Sequence, residues 1–326
     1  MISLTELRAE ETGIKQLPSS FGLLKNLKIV LLSGSTGHSS KSRLSHFLPW
    51  MSPKRSNPIS LLPPSVSGLR SLTALVLHDC NLSEDGIPND LGDLVSLEAL
   101  YLSKNNFRNL PQSIGRLPKL DRLSLSGCTT LQSISELPAS LRDLNANGCT
   151  SMESLTNLSN LKELRNLRLA KCHKLVEING LESSKFTLYI QMQGCNNLSH
   201  DYRMSLLQSL TMGACLGDLI VFLPGTEVPN WFSHRTTGSS VSFHVPSLTE
   251  GEVCILLFCA VLAFDDATKP FVNKPFVRMI NKTRGEIYDC YPSICVLPVT
   301  VEDYLLVFKI PVTSNQEGVQ RRLETR

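Results

Sequence analysis

The stretch 223–246 of the 326-residue sequence concentrates side chains that could do chemistry. Its candidates for an acid, a nucleophile and two bases are Glu227, Ser233, His234 and His244. One hypothesis is therefore a serine hydrolase that uses Ser233 and His234. The sequence lacks the G-x-S-x-G motif that exposes a nucleophilic serine, and adjacent residues of a strand point to opposite faces. We expect no catalysis, and labelling of Ser233 by a fluorophosphonate probe would contradict that expectation.

A second segment imitates a nucleotide-binding loop. Gly34–Ser42 reads G-S-T-G-H-S-S-K-S, which resembles the phosphate-binding pattern G-x-x-x-x-G-K-S. The residue before Lys41 is Ser40, where the pattern needs a glycine so that the backbone can approach the phosphates closely. The segment also lacks the helix that follows such a loop in a βαβ unit. The sequence therefore predicts a solvated loop here and no nucleotide cofactor.

Two pairs of cysteines have a spacing that a zinc site could use, Cys254 with Cys259 and Cys290 with Cys295. The first pair lies in the apolar run 253–264, where a separation of five residues puts two side chains on opposite faces of a strand. Core thiols explain these cysteines better than ligands do. The sequence therefore predicts no metal centre and no small-molecule cofactor.

Bulk properties weigh against several other classes of protein. A net charge of +3 is too small to predict nucleic-acid binding. The longest apolar run, 253–264, is shorter than the ~20 residues of a membrane-spanning helix, and the acid-rich residues 1–11 do not make a signal peptide. The ten cysteines are then expected to be reduced thiols. We expect a cytoplasmic protein without a membrane span, with the nucleus as a second location.

Regularly spaced cysteines reveal an internal repeat. Six positions follow one another at intervals of 21 to 25 residues, a period typical of a solenoid. They form a structural ladder of Cys80, Asn105, Cys128, Cys149, Cys172 and Cys195. The first five positions end the pattern L-x-x-L-x-(L/A)-x-x-(N/C), as in Leu72–Cys80 and Leu97–Asn105, and Cys195 ends a weaker copy. Weaker copies begin at Leu4, Leu27 and Thr187, so the pattern predicts about eight repeats.

The residue types of the repeat have a physical reason. One short strand per repeat points its alternate leucines into the solenoid core. The ninth position turns the chain inward, where its side chain must donate hydrogen bonds to backbone carbonyls that would otherwise be buried unpaired. An asparagine amide does this well, and a cysteine thiol does it weakly while tolerating burial. The ladder cysteines are therefore predicted to be structural.

The returns between strands carry a second pattern, (L/I)-P-x-x-φ-G, at Leu17–Gly22, Ile87–Gly92 and Leu110–Gly115. Proline at its second position disfavours a regular helix, so we expect loops and short helical turns on the convex side. One return is interrupted by a Ser/Pro-rich, basic segment at about 36–60 that lacks the leucine spacing. This segment is predicted to be a loop inserted between two repeats.

The concave face of the predicted solenoid is the candidate binding surface. Strands leave alternate side chains outside the core, and solenoids bind partners on such faces. By register the candidates are His78, Asp79, Tyr101, Lys104, Arg122, Asn145, Arg168, Lys171, Tyr189 and Gln191. The set is polar and mixed in charge, and tyrosine and arginine are favoured interface anchors. The alternative is a plain solvated sheet face.

The leucine spacing stops at about residue 200, and short β-rich runs separated by turns follow. Their alternation favours an antiparallel sandwich. The predicted domains are a solenoid at 1–200, a linker at 201–217, a sandwich at 218–312 and a disordered tail at 313–326. The fold class is thus an α/β leucine-rich-repeat solenoid followed by an all-β sandwich.

Three sequence features together resemble plant TIR-type nucleotide-binding leucine-rich-repeat immune receptors. They are the G-C-x-x-L repeats such as Gly127–Leu131 and Gly194–Leu198, the L-P-x-S-(I/F)-G returns, and the run P-G-T-E-V-P-N-W-F at 224–232. The last resembles the hallmark of the C-terminal jelly-roll/Ig-like domain of that family. The resemblance covers essentially the whole chain.

The resemblance implies a protein-recognition module that senses pathogen effectors through the concave face and through loops after the repeats. In the second domain it points to Glu227, His234 and Arg235 as candidate contacts. The chain carries no TIR or nucleotide-binding domain, so the NAD-cleaving and nucleotide-switch activities of the family have no residues to map onto. The strands also stop early, at Ile310, so we expect a C-terminally truncated sandwich. The alternative function is a truncated decoy or regulator of a full-length receptor.

Overall fold

The computed structural model describes residues 4–12, 14–34, 61–156, 158–181, 188–212, 219–237, 253–262, 277–281, 286–290 and 303–313. The chain divides into two compact units, Met1–Ser184 and Lys185–Arg326. The predicted insertion at 36–60 lies outside the described residues, as does all of the phosphate-loop-like segment except Gly34. The predicted tail also lies outside them from residue 314 onward.

The first unit is built on a parallel sheet with one short strand per repeat. Its strands are β1 (Glu6–Ala9), β2 (Ile29–Ser33), β3 (Ala74–His78), β4 (Ala99–Tyr101), β5 (Arg122–Ser124), β7 (Asp143–Asn145) and β9 (Asn166–Arg168). Two further strands, β6 (Ser133–Ile134) and β8 (Ser154–Leu155), form a small parallel ladder of their own in the returns. The predicted leucine-rich solenoid is confirmed.

The alternation of leucines explains why these segments become strands with one buried face. In β3, Leu75 and Leu77 are fully buried, whereas Val76 and His78 between and after them are half-buried. Equivalent residues stand side by side, since Leu75 pairs in register with Leu100 of β4. Burial of one leucine side chain contributes roughly 2 kcal/mol, and the stacked rows repeat that gain at every turn.

Strands β2 and β3 are direct neighbours in the sheet. Ile29 pairs in register with Ala74, and the pairing continues to Ser33 and His78. The return between β1 and β2 contacts the described part of the segment that leads to β3, because Leu17 N–H donates to Leu61 C=O at 2.9 Å.

The returns of the first unit contain short 3-10 helices rather than α-helices in the described residues. They span Ser19–Leu23, Glu84–Gly86, Asn89–Asp93, Gln112–Arg116 and Leu158–Asn160. Pro18 immediately precedes the first of them with φ −65° and ψ 152°, an extended conformation that proline favours. The glycine of the motif is needed because turns approach closely: a Cβ on Gly22 would lie 2.7 Å from Ser65 O.

Asp90 ties two neighbouring returns together through its carboxylate. Its Oδ2 accepts hydrogen bonds from Ser65 Oγ at 2.5 Å, Val66 N at 3.0 Å and Ser67 N at 3.1 Å. Partial burial opposes ionisation, but these donors outweigh it and lower the pKa of Asp90 below its ordinary value. The ionised carboxylate therefore stabilises this junction.

We expect Asp90→Asn to lower the free energy of unfolding by about 1 kcal/mol at pH 7, because a charge-assisted acceptor is lost at a partly solvated site. The folded-state pKa lies below the unfolded value, so the contribution is complete above pH ~4 and disappears as the pH falls through the folded-state pKa. Urea denaturation at pH 7 and pH 2 measures the difference. Asp93→Asn, at an exposed carboxylate of the same 3-10 helix, is the control. An equal effect of Asp90→Asn at both pH values would contradict the prediction.

The second unit holds one α-helix and a mixed sheet in its described residues. Its elements are β10 (Leu188–Gln191), α1 (His200–Met212), β11 (Leu219–Pro224), β12 (Val253–Leu262), β13 (Val277–Asn281), β14 (Glu286–Cys290) and β15 (Tyr304–Thr313). The main sheet has the order β10-β11-β15-β12, and β13 and β14 form a separate antiparallel pair. The first pairing, β10 with β11, is parallel, and the other two are antiparallel.

This sheet differs from the expected all-antiparallel sandwich. Strand β11 was predicted to open a new antiparallel domain, but it continues the parallel pairing of the last repeat strand, β10. The reason is α1, which occupies most of the predicted linker and returns the chain in the same direction, as in a β–α–β crossover. Leu206, Leu207 and Leu210 are buried. The boundary between the two compact units lies between residues 184 and 185, before β10.

Candidate protein-recognition surface

Asn105 shows how the ladder holds neighbouring strands at a fixed spacing. Its Oδ1 accepts from the backbone N–H groups of Cys80 at 3.1 Å and Leu82 at 3.0 Å. Its Nδ2 donates to the carbonyls of Leu77 at 2.7 Å and Leu102 at 2.9 Å. The side chain is 1% exposed, so it pairs backbone groups from two repeats that water does not reach.

Three thiols of the ladder contact a backbone carbonyl of the preceding repeat, which is a weaker interaction than those of Asn105. The Sγ atoms of Cys128, Cys149 and Cys172 lie 3.2 to 3.3 Å from the carbonyl oxygens of Leu102, Leu125 and Ala146, respectively, in the preceding repeat. Burial raises the pKa of the Cys149 thiol to about 12, so this thiol is a protonated donor at neutral pH. Cys80 is half-buried and Cys195 is buried. The ladder side chains thus form hydrogen bonds with buried backbone groups. The side chains on the opposite face of each strand point away from the core.

The outer strand face is the surface of the first unit's sheet that points away from the leucine core. Arg122 lies exposed at the start of β5, and Asn145 and Arg168 are half-buried at the ends of β7 and β9. Arg168 Nη1 lies 2.9 Å from Asp143 Oδ1, so its charge is paired within the sheet. Asp143 was not among the sequence candidates, although it shares the register row of Arg122.

A second group of charges, at or just before the starts of β5, β7 and β9, also forms ion pairs. Asp121 lies 3.6 Å from Arg142 and 3.7 Å from Arg122, and Arg142 lies 3.9 Å from Glu163. Such solvent-exposed pairs contribute about 0–1 kcal/mol each to stability. These ion pairs also restrict the orientations of the long side chains that form them.

Two candidates do not lie on an open surface. Tyr189 is 4% exposed and Gln191 is 8% exposed. The Tyr189 ring packs edge-on against Phe222 with centroids 5.8 Å apart, and Gln191 Nε2 donates to the Tyr189 hydroxyl at 2.7 Å. Both residues belong to β10, which pairs with β11 in the second unit. Their assignment to an exposed partner-binding face is therefore corrected: they are core residues of that unit.

The residue before each ladder position adopts a left-handed backbone. Asp79, Lys104 and Lys171 have φ values of 54°, 57° and 62° at this turn. The equivalent residues Gly127 and Gly148 have φ values of 75° and 74°. A left-handed conformation costs a residue with a Cβ about 1 kcal/mol more than glycine. The three charged candidates therefore line one rim of the outer strand face at a small cost in stability.

A cavity of about 690 Å³ lies at the N-terminal end of the outer strand face. His78 and Tyr101 both line it, so the structure brings these two candidates together. The remaining lining residues are Glu10, Glu11, Ser33, Val76 and Ser103. Sequence reasoning missed them, although the signal was present: Glu10 and Glu11 follow Ala9 just as His78 and Asp79 follow Leu77.

The loop after β11 in the second unit is held by two arginines. An Arg203 Nη of α1 donates to Pro224 C=O, and Arg235 Nη2 donates to Val228 C=O at 2.8 Å. Glu227, between these carbonyls, is exposed, and it lines a cavity of about 640 Å³ together with Arg203. Of the three candidate contacts here, Arg235 is thus engaged with its own loop. Ser233 and His234 are exposed on the same loop.

No group of three or more His, Cys, Asp or Glu side chains in the described residues is arranged to hold a metal ion. Cys259 is a half-buried free thiol, and burial raises its pKa to about 12. No helix in the described ranges is both long enough and apolar enough to cross a membrane.

A protein-family model supports the repeat, and several known proteins are similar to the chain. The family model for a leucine-rich repeat region matches residues 57–257. TMV resistance protein N of Nicotiana glutinosa is 34% identical over 186 residues, covering 56% of this chain and 15% of that protein. Disease resistance-like protein DSC1 of Arabidopsis thaliana is 30% identical over 252 residues, covering 76% of this chain and 18% of that protein. Among solved structures, the leucine-rich repeat domain of the type III effector XopL has a TM-score of 0.48 at 23% identity, with 66% and 68% of the two chains covered.

The names of the relatives agree with the resemblance that the sequence motifs indicate. A third relative, disease resistance protein RPS4B of Arabidopsis thaliana, is 27% identical and covers 81% of this chain. The chain spans only about a fifth of the length of these relatives. The resemblance to plant disease-resistance receptors is confirmed over much of the sequence. The chain belongs to the leucine-rich repeat family, and its relatives are plant disease resistance proteins.

Proposed function

We propose that the outer strand face of the first unit is a protein-recognition surface, and that the chain is the recognition module of an intracellular plant immune receptor that senses pathogen effectors. The observation that carries the proposal is the position of exposed charged side chains and of the half-buried Tyr101 on or beside the outer face of a sheet whose other face is a leucine core. The disease-resistance names of its relatives supply the biological setting.

The proposed surface combines the features of a binding face. Its strands are fixed in register by Asn105 and its neighbours, so the outer side chains are presented with little loss of order on binding. Tyr101 and Arg122 are of the types that dominate interface energetics. Lys104 and Lys171, both exposed, add charges at the rim. Charged rims raise association rates and select partners by complementarity.

For the second unit we propose the jelly-roll/Ig-like post-repeat domain that the motif at 224–232 implies. The support is the run P-G-T-E-V-P-N-W-F and the antiparallel pairs of β15 with β11 and β12. The two arginine–carbonyl contacts hold the loop so that Glu227 is presented at the surface. Glu227 and His234 are the contacts proposed for a partner there.

Arg122→Ala tests the role of the outer strand face. Arg122 is exposed and makes only a 3.7 Å contact with the adjacent Asp121, so we expect the free energy of unfolding to change by less than about 0.5 kcal/mol. Binding of a protein partner on this face should weaken about tenfold, the effect of losing an arginine anchor of roughly 1.4 kcal/mol. The measurement is an interaction screen of the chain against a library of pathogen effectors, followed by affinity measurements on any hit.

Lys119→Ala is the matched control, because it removes one exposed positive charge from the turn before β5, outside the strand face. Its affinity for the same partner should equal that of the wild-type chain. Equal loss in both variants, or no loss in Arg122→Ala and in Lys104→Gly, would place the binding site elsewhere and overturn the proposal. Lys104→Gly suits this test because glycine tolerates the left-handed turn.

A further inference from the structure

We infer that the cavity at the N-terminal end of the outer strand face binds a basic side chain, arginine or lysine, of a protein partner. This inference rests on the proposed function, since it names the chemistry of the group that the recognition surface receives there. The cavity belongs entirely to the first unit, and residues from four successive strands or the turns after them line it.

The lining of the cavity suits an organic cation. Its aromatic and apolar walls are Tyr101 and Val76, which occupy the same register row of neighbouring strands. Two carboxylates, Glu10 and Glu11, stand at its edge, and both residues are exposed. A guanidinium or ammonium group gains from carboxylates and from an aromatic face together, and its aliphatic stem gains from an apolar wall. The volume of about 690 Å³ admits such a side chain.

The carboxylates at this end are available for a partner. In the part of the chain that the structure describes, no cation lies within ion-pairing distance of Glu10, Glu11 or Asp79. At the other end of the face, by contrast, Asp143 is paired with Arg168. Arg8 of β1 pairs with Glu6 and also interacts electrostatically with Glu10. The carboxylates at the N-terminal end still outnumber this cation, so that end carries a net negative charge.

The backbone holds one of these carboxylates at a defined place. Glu11 has φ 57°, in the left-handed region, and its N–H donates to Ser33 Oγ at 3.0 Å. The equivalent left-handed turns of later repeats lie along the same rim, and they carry Asp79, Lys104 and Lys171 in that order. The charge of the rim thus changes from negative at the N-terminal end to positive further along the sheet. This charge pattern favours a partner whose positive group lies at the N-terminal end, where the cavity is.

A single probe tests the cavity without knowledge of the partner. N-acetyl-arginine amide is titrated into the full chain labelled with 13C in tyrosine, and the ring signal of Tyr101 is followed by NMR, assigned with Tyr101→Phe. The neutral isostere N-acetyl-citrulline amide is titrated in parallel. We expect the arginine probe to shift the Tyr101 signal and to bind about tenfold more tightly at low salt, with the difference decreasing as salt is added.

The double variant Glu10→Gln/Glu11→Gln should remove the preference for arginine over citrulline. Glu98→Gln is the control, because Glu98 is an exposed carboxylate that lies just before β4, outside the cavity. It should keep the preference, and circular dichroism should show that both variants are folded. Equal binding of the two probes to the wild-type chain, or loss of preference in Glu98→Gln as well, overturns the inference.

The same titration separates two sources of the basic group. The sequence between β2 and β3 contains Lys41, Arg43, Lys54 and Arg55. If replacement of all four by glutamine leaves the affinity for the arginine probe unchanged, the cavity is open to a partner, as inferred. A rise of tenfold or more would assign the cavity to this chain's own cations and overturn the inference. A partner whose binding depends on Arg122 but not on Glu10 and Glu11 would leave the proposed function standing and refute the inference alone.

Discussion

Replacement of Leu123 by aspartate is expected to unfold the first unit. Leu123 is 1% exposed at the centre of β5, between Leu100 and Leu144 in the buried row of the sheet. The substitution removes a leucine from the core and puts a carboxylate where the described neighbours offer no cation. A buried unpaired charge and a lost core side chain together cost about 4 kcal/mol or more, which is comparable to the whole stability of many domains.

Thermal and urea denaturation followed by circular dichroism measure this effect. Leu123→Ala should cost less, about 2–5 kcal/mol, because it leaves a cavity without a charge. Arg122→Ala, the neighbouring position on the opposite face of β5, should change stability little. The order of the three variants tests the register of the strand directly. An unchanged midpoint for Leu123→Asp would show that this side chain does not point into the core.

Asn105→Ala is expected to produce the second largest loss of stability. The substitution leaves the N–H groups of Cys80 and Leu82 and the carbonyl of Leu77 without their partner in a region that water does not reach, whereas the Leu102 carbonyl keeps its contact with Cys128 Sγ. Each unsatisfied buried group costs about 1–3 kcal/mol, and partial relaxation reduces the sum. We expect a loss of about 3–4 kcal/mol in the free energy of unfolding, measured by urea denaturation.

The chain itself supplies the matched control for this prediction. Cysteine occupies the equivalent position in the next repeat, where Cys128 Sγ contacts a single carbonyl at 3.3 Å. Asn105→Cys should therefore fall between the wild type and Asn105→Ala, because it restores one donor and most of the apolar packing. Equal losses for the alanine and cysteine variants would mean that the thiol contacts of the other repeats contribute nothing.

The repeat could be predicted because its information is local. Period, alternating leucines and the ladder residue are all contained within one repeat of the sequence, and each predicts its own strand, as in Leu72–Cys80 and β3. The motif glycine is explained only by the neighbouring turn, since the crowding of Gly22 comes from Ser65. The exposed candidate Arg122 was found because strand periodicity alone predicts which side chains face away from the core.

The sequence by itself thus determined the solenoid, its ladder and the row of side chains that faces outward, because a period of two along each strand decides burial one repeat at a time. Tertiary structure decided the rest. Tyr189 follows the same period as Tyr101 but is buried, because β10 pairs with β11 and its side chain packs on Phe222. The cavity at Glu10 and Tyr101 likewise exists only because strands far apart in the sequence lie side by side.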